Sequence, residues 1–397
     1  MRVRNILLLT ICQLISATGS IVLVTLGGII GTKLSDDPAF ATLPISVMVV
    51  SVASTTIPAS MLMRAIGRRR SFALASVSSF LAMLLAAYAL LSSSFPWFVV
   101  AAALFGINLA FTQQYRFAAA ESVEPAFAAR AISFVLLGAI GGALIGPELV
   151  NLGENLIDEV QYAGTLVAVA ALYLIQACLI LFLGPLRGEH DSDPQTPQRP
   201  LGDIVRRPVF LVAVLGGTTA YGVMTLIMTA TPLSMHVNDG YSLGQTADVI
   251  RSHVLAMYLP SLATGFLLER FGVARLMTAG ALGLTAACIV GLQGQSVMHY
   301  TVALVLLGAG WNFLYVGGTT MLTLTYSMSE RFKAQAVNEF SVFGTSALGS
   351  LLAGTVMHLY GWYTLVLVPL PLLLAMLASL YFVRRDAQLR RPAPASG

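Results

Sequence analysis

Ionisable side chains inside long apolar stretches are the residues of this chain best suited to chemistry. Glu339 lies in A-Q-A-V-N-E-F-S, and a carboxyl group surrounded by hydrocarbon can bind and release a proton near neutral pH. His253 and Arg116 occupy comparable stretches. We therefore take these three residues as proton-coupling candidates, Glu339 first. A structural ion pair of Glu339 with Arg116 or Arg331 is the alternative, and for His253 it is a hydrated position near the outer face.

A second set of residues has the chemistry of a solute-binding cavity. In G-A-G-W-N-F-L-Y-V-G-G, Trp311, Asn312 and Tyr315 share one face of a helix by their spacing. Aromatic rings beside an amide suit a planar or amphipathic organic solute, through stacking and hydrogen bonding. The other candidates for the solute cavity are Gln13, Asn108, Gln113, Tyr115, Arg251 and Asn338.

The elements that position these residues are membrane-spanning helices. Hydrophobic residues make up 57% of the 397 residues and charged residues only 10%, whereas soluble domains carry about 25% charged residues. Apolar runs of roughly 20 residues, the length that crosses a bilayer as a helix, recur along the chain. We count twelve such runs between residues 6 and 383.

The positively charged residues predict the orientation. With the N-terminus in the cytoplasm, only Lys33 and Arg251 of the 22 Lys and Arg residues fall near the outer side, and such asymmetry sets topology. We therefore expect a multi-pass protein of the bacterial inner membrane with both termini cytoplasmic. The basic residues then anchor the chain at the lipid bilayer, and no nucleic-acid partner is expected.

An internal repeat divides the chain into two halves. The segment S-M-L-M-R-A-I-G-R-R-R at 60–70 recurs as G-F-L-L-E-R-F-G-V-A-R at 265–275, and such repeats in membrane transporters surround the substrate site. We predict a six-helix half over 1–184 and another over 208–384. A proline-rich cytoplasmic linker at 185–207 joins them, and 385–397 is a cytoplasmic tail.

These features together resemble the major facilitator superfamily of secondary transporters, over about residues 6 to 384. The superfamily signature after the second span is G-x-x-x-D-R-x-G-R-R. The second copy here retains Gly265, Glu269, Arg270 and Gly272, and the first retains Gly67, Arg68 and Arg69, with Arg64 in place of the acid. The resemblance implies an all-α membrane protein with twelve transmembrane helices in two pseudo-symmetric six-helix bundles.

The repeated loops predict a cytoplasmic gate. An acid can face the start of a helix, where free N–H groups and the helix dipole favour an anion. By the superfamily's geometry, Glu269 meets the start of span 5 near Arg130, and Arg64 meets the start of span 11, with Glu330 as its partner. The predicted gate comprises Arg64, Gly67, Arg68, Arg130, Glu269, Arg270 and Gly272. Alternatively, the arginines only fix topology and bind lipid headgroups.

Span 5 carries a strip of small residues. Gly138, Gly142 and Gly146 recur every fourth residue and Pro147 follows, so another helix can approach closely. The core G-x-x-x-G-P resembles the span-5 signature of drug–proton antiporters in the superfamily. The alternative is that the strip only packs span 5 against span 8.

The function predicted from these observations is secondary active transport of a small organic solute by alternating access. Proton-coupled export is the main prediction. Import of a nutrient or vitamin-like solute, coupled to protons or facilitated, is the first alternative, and a non-transporting membrane sensor is the second. The chain lacks catalytic motifs such as H-E-x-x-H, so we expect no enzyme activity, cofactor or metal. We expect the protein to be a monomer.

Overall fold

A computed structural model describes residues 2–35, 40, 43–153, 156–157, 160–186 and 199–383 of the chain. Regular structure in these described residues is entirely helical. Helices suit an apolar chain because each satisfies its own backbone N–H and C=O groups away from water. The predicted tail and most of the predicted linker lie outside the described residues.

The first half of the chain forms seven of the described helices. They are α1 (Arg2–Leu34), α2 (Leu43–Ile66), α3 (Arg68–Leu91), α4 (Phe95–Thr112), α5 (Tyr115–Glu121), α6 (Ala128–Gly153) and α7 (Ala163–Leu181). A 3₁₀ turn, Pro125–Phe127, precedes α6.

The second half begins with a short helix at the end of the linker and continues with long apolar helices. They are α8 (Leu201–Val205), α9 (Pro208–Pro232), α10 (Leu243–Tyr258), α11 (Ser261–Phe271), α12 (Val273–Gln293), α13 (Val297–Thr323), α14 (Arg331–Leu367) and α15 (Leu370–Val383). A π-helical turn, Leu233–Asn238, extends α9.

Ten stretches of the described chain are long and apolar enough to cross a membrane, where the sequence predicts twelve spans. The stretch Arg331–Val383 has 53 residues and covers two predicted spans, with Gly361 in a non-helical conformation inside α14. The predicted eighth span is divided into α10 and α11 at Pro260, which has no N–H for a helical hydrogen bond. The all-helical membrane fold is confirmed. The merging of two predicted spans into one stretch and the division of the eighth span account for the difference between twelve and ten.

The chain separates into two compact units. One comprises 1–123 and 134–191, and the other comprises 124–133 and 192–397. The second unit therefore includes the first residues of α6, which the predicted boundaries assign to the first half.

The repeat seen in the sequence is also present in the backbone. Gly67 joins α2 to α3 with φ 84° and ψ 159°, and Gly272 joins α11 to α12 with φ 83° and ψ 157°. Side chains other than hydrogen rarely allow this conformation. The two loops thus need glycine at the same place for the same steric reason.

The glycine strip of α6 packs against α1, within the first unit. A Cβ atom at Gly138 would lie 2.3 Å from the carbonyl oxygen of Thr10, and one at Gly142 would lie 2.4 Å from the Cβ of Ala17. Gly146 contacts Ile21 in the same way. Within the first unit, the strip's packing partner is therefore span 1. Exposed Pro147 lies within α6.

Candidate functional site

The first copy of the repeated loop contains a buried ion pair. Arg68, the first residue of α3, is fully buried. Its Nε and Nη2 donate to the two carboxylate oxygens of Glu121 at 2.8 and 2.7 Å, and Nη1 reaches Gln114 Oε1 at 3.4 Å. This bidentate geometry is the strong form of an arginine–carboxylate contact. The pair joins the start of α3 to the end of α5.

The second copy contains a more exposed ion pair. Arg130, in the first turn of α6, donates to Glu269 near the end of α11, and both side chains are partly exposed. The Arg130 guanidinium also lies 4.5 Å from the ring centre of Phe266. A Cβ at Gly265 would lie 2.8 Å from the Arg130 Cα. The glycine of the motif thus allows the close approach that brings the two charges together. Arg270 is exposed.

Glu330 has a different partner from the one predicted. Its carboxylate accepts from the backbone N and Nε of Arg199, at 3.0 and 2.7 Å, and from the backbone N of Ser327 at 2.9 Å. These donors, Arg199 foremost, hold the pKa of the Glu330 carboxyl far below its usual range. Arg64 is exposed. The end of the linker therefore neutralises Glu330.

The polar residues at the end of α4 contact one another. Arg116 is buried, and its Nη1 donates to the backbone oxygen of Gln113 at 2.9 Å and to Gln113 Oε1 at 3.3 Å. Tyr115 is fully buried, and its hydroxyl accepts from Gln176 Nε2 at 3.1 Å. Gln113 is half-buried. Arg116 of α5 thus turns back onto the residue that ends α4.

A buried hydrogen-bond network in the first unit was missed by the sequence analysis. Gln176 Nε2 donates to Ser76 Oγ at 2.9 Å, and its Oε1 accepts from Ser16 Oγ at 3.1 Å. Thr112 Oγ1 donates to Ser16 at 3.1 Å. The network therefore links α1, α3, α4 and α7. Its sequence signal was Gln176, an amide within the apolar run A-L-Y-L-I-Q-A-C.

Two predicted cavity residues of the first unit remain as candidates. The Asn108 side chain is fully buried, and neither polar atom of its amide has a hydrogen-bond partner among the described residues. Gln13 is half-buried and lies beside Gly138. Buried amides normally form hydrogen bonds. Asn108 therefore retains free capacity for a solute or for water.

Five aromatic side chains of the second unit form a cluster around α13, which we call the aromatic cluster. Trp311 and Tyr315 stack, with ring centres 4.9 Å apart and an interplanar angle of 25°. Tyr221 of α9 packs edge-on against Trp311, Tyr315 and Phe343, at 5.3, 4.9 and 5.3 Å. Tyr258 packs against Trp311 at 5.8 Å. The cluster therefore draws on α9, α10, α13 and α14.

Asn312 bridges the break between α10 and α11. Its Nδ2 donates to the carbonyl oxygen of Met257 at 2.8 Å and to Ser261 Oγ at 2.6 Å, and its Oδ1 accepts from Thr264 at 2.6 Å. These residues lie on both sides of Pro260. Asn312 thus satisfies polar groups at an interrupted helix, and both amide hydrogens are already used by the protein.

The remaining candidates of the second unit occupy separate positions. Glu339 is fully buried and accepts from Asn338 Nδ2 at 2.7 Å. His253 is also fully buried, with Nδ1 2.8 Å from the carbonyl oxygen of Leu304. Arg251 is 72% exposed and pairs with Asp248. Glu339 and His253 are thus shielded from solvent, unlike Arg251.

Comparison with known proteins identifies the family. The sequence model of the Major Facilitator Superfamily matches residues 9–254 and 215–397. The chain belongs to the major facilitator superfamily. Its relatives include the riboflavin transporter RfnT of Brucella anthropi, 37% identical over 95% of each chain. The uncharacterised transporter YdeG of Bacillus subtilis is 27% identical over 89% of this chain and 85% of its own.

A solved structure supports the same fold. The proton:xylose symporter XylE superposes with a TM-score of 0.79 over 97% of this chain and 95% of its own, at 13% identity. The superfamily and these relatives are transporters. The prediction that this protein is a transporter and not an enzyme is therefore confirmed.

The Arg130–Glu269 ion pair can be tested by charge reversal. We expect that reversing both charges together restores what either single reversal impairs. Reversing one charge, with R130E or E269R, places like charges together and should slow transport and lower the melting temperature. The double reversal should restore both, with a coupling energy of about 1 kcal/mol in the melting measurement. Reversal of Glu148, an exposed acid in α6, is the control. If the double variant is no better than the worse single one, the pair has no role in the transport cycle.

Proposed function

We propose that this protein imports a flat, vitamin-like solute of the riboflavin type by alternating access. The observation that carries the proposal is 37% identity over 95% of both chains with a riboflavin transporter. Export is the main prediction from the sequence, but a vitamin is a nutrient that cells take up. The comparison therefore favours the import alternative.

The aromatic cluster supports the same choice of solute. Riboflavin consists of a flat conjugated ring system and a hydroxylated chain. Flat ring systems stack on aromatic side chains, and the second unit brings five such side chains together from four helices.

We propose that uptake is coupled to protons through Glu339. Its carboxylate is fully buried in α14, and the neighbouring Asn338 donates to it. Burying a carboxylate within a membrane span costs free energy. Such residues are therefore rare, and they mark the pathways of ions or substrate. Arg116 and His253 remain secondary candidates, because both are buried and polar.

The experiment is riboflavin uptake by proteoliposomes under an imposed pH gradient. A gradient of one pH unit, acidic outside, supports up to about tenfold accumulation when one proton accompanies each solute. E339Q should reduce accumulation to equilibration while leaving exchange of internal for external riboflavin intact. Glu148, an exposed acid in α6, supplies the control E148Q. Unchanged accumulation by E339Q would refute coupling at Glu339, and no riboflavin flux by the wild type would refute the choice of solute.

A further inference from the structure

Trp311, at the centre of the aromatic cluster, has an unused hydrogen-bond donor. The residue is 1% exposed, and its Nε1 has no hydrogen-bond partner among the described residues. Trp362 in the same unit is comparably buried, and its Nε1 donates to the carbonyl oxygen of Gly291 at 2.9 Å. Buried indole N–H groups usually find such a partner. The donor of Trp311 therefore points to a partner supplied from outside the protein.

The surroundings of Trp311 hold its ring in a fixed place. Its neighbour in sequence, Asn312, makes three hydrogen bonds across the break between α10 and α11, and Tyr315 stacks on its ring. A donor on a rigid ring has a defined direction, which favours recognition of one particular acceptor atom.

An interrupted helix adjoins the aromatic cluster. Helix α10 ends at Tyr258, whose ring contacts Trp311, and broken helices mark substrate sites in this class of protein. Tyr221 and Tyr258 are half-buried, whereas Trp311 and Tyr315 are buried. The two half-buried tyrosines therefore form the accessible side of the cluster, and the stacked pair forms its floor.

We infer that the aromatic cluster is the subsite for the solute's conjugated ring, with Trp311 Nε1 donating to a carbonyl oxygen or nitrogen of that ring. This inference rests on the proposed function, because it names the part of the solute that the second unit recognises. Ring stacking on Tyr221 and Tyr258 supplies affinity, and the Trp311 N–H selects rings that carry an acceptor. The hydroxylated chain of the solute then lies outside the cluster.

The first test uses fragments of the solute as competitors. Lumichrome has a ring system of the same kind without the hydroxylated chain, and ribitol is that chain without the ring. Lumichrome should compete with riboflavin for the purified protein, and ribitol should not. Competition by ribitol alone would overturn the inference even if riboflavin is transported.

The second test measures riboflavin binding by the quenching of flavin fluorescence, which requires ring contact. W311F keeps a stacking ring but removes the donor, so it should weaken binding by about 2- to 10-fold, as expected for one lost hydrogen bond. W311L should weaken binding further and reduce the quenching at saturation. Exposed Trp97 supplies the control W97F, and melting temperatures show which variants fold.

The outcomes separate the two proposals. Equal affinity of folded W311F and the wild type would overturn the role of the Trp311 donor, because the phenyl ring has no N–H. If W311L does not fold, the riboflavin affinity of W311F and competition by lumichrome still test the inference. Wild-type protein that neither binds nor carries riboflavin would instead refute the proposed function.

Discussion

Replacing Glu121 by Gln is expected to destabilise the protein by about 3–5 kcal/mol, because it removes the negative charge that the buried Arg68 guanidinium contacts through two of its nitrogens. Arg68 is fully buried and Glu121 is 6% exposed. Both carboxylate oxygens of Glu121 accept from Arg68, so the neutral amide removes the charge and one acceptor together. We expect little folded protein after extraction in detergent, with a strongly lowered melting temperature in what remains.

The control for this prediction is E148Q, which neutralises an exposed acid of the same unit. The double variant R68M/E121L replaces the pair by apolar side chains of similar size and should recover most of the lost stability, as observed for buried ion pairs in general. A melting temperature for E121Q equal to that of E148Q would contradict the prediction.

Replacing Gly138 by Leu is expected to prevent α6 from packing on α1. Even the Cβ of alanine would lie 2.3 Å from the carbonyl oxygen of Thr10, 3.0 Å from Leu14 N and 3.0 Å from the Gln13 Cβ. Two of these atoms belong to the backbone, so the helices must move apart. We expect G138A to cost about 1–3 kcal/mol, as overpacking does, and G138L to abolish the folded state.

The chain offers a matched control for the glycine variant. Gly344 also lies within a helix, α14, but a Cβ there meets no atom within 4 Å among the described residues. G344A should be neutral or stabilising by about 0.5–1 kcal/mol, because alanine favours helix over glycine. Melting temperatures of the two alanine variants compare a close helix contact with an open one. Equal effects would show that helix propensity, not packing, decides the result at Gly138.

Much of the fold can be predicted from the sequence because membrane insertion depends on local composition. Apolar runs of sufficient length define helices wherever they occur. The predicted spans match the described helices except for the breaks at 113–114, 259–260 and 368–369 and for α14, which continues through Gly361. The repeated motif that indicates the family was predictable too. Gly67 and Gly272 occupy turns with the same backbone conformation, which requires glycine in both copies. A steric requirement of this kind leaves a recognisable residue in the sequence.

Partners of the candidate site residues were less predictable. Glu330 binds Arg199 of the linker, and the glycines of α6 meet α1. The sequence shows that these residues need a partner but not which helix supplies it. That choice depends on the register and rotation of whole helices against one another.

The membrane class, the helical segments, the internal repeat and the superfamily could all be predicted, because each follows from composition or spacing within a short stretch of chain. The contacts between helices are seen only in the folded chain: Asn312 bridges a broken helix, Gln176 joins Ser16 across 160 residues, and rings from three helices surround Trp311. The physical reason is that hydrogen bonds and ring contacts form between residues far apart in sequence, and packing of the helices selects them.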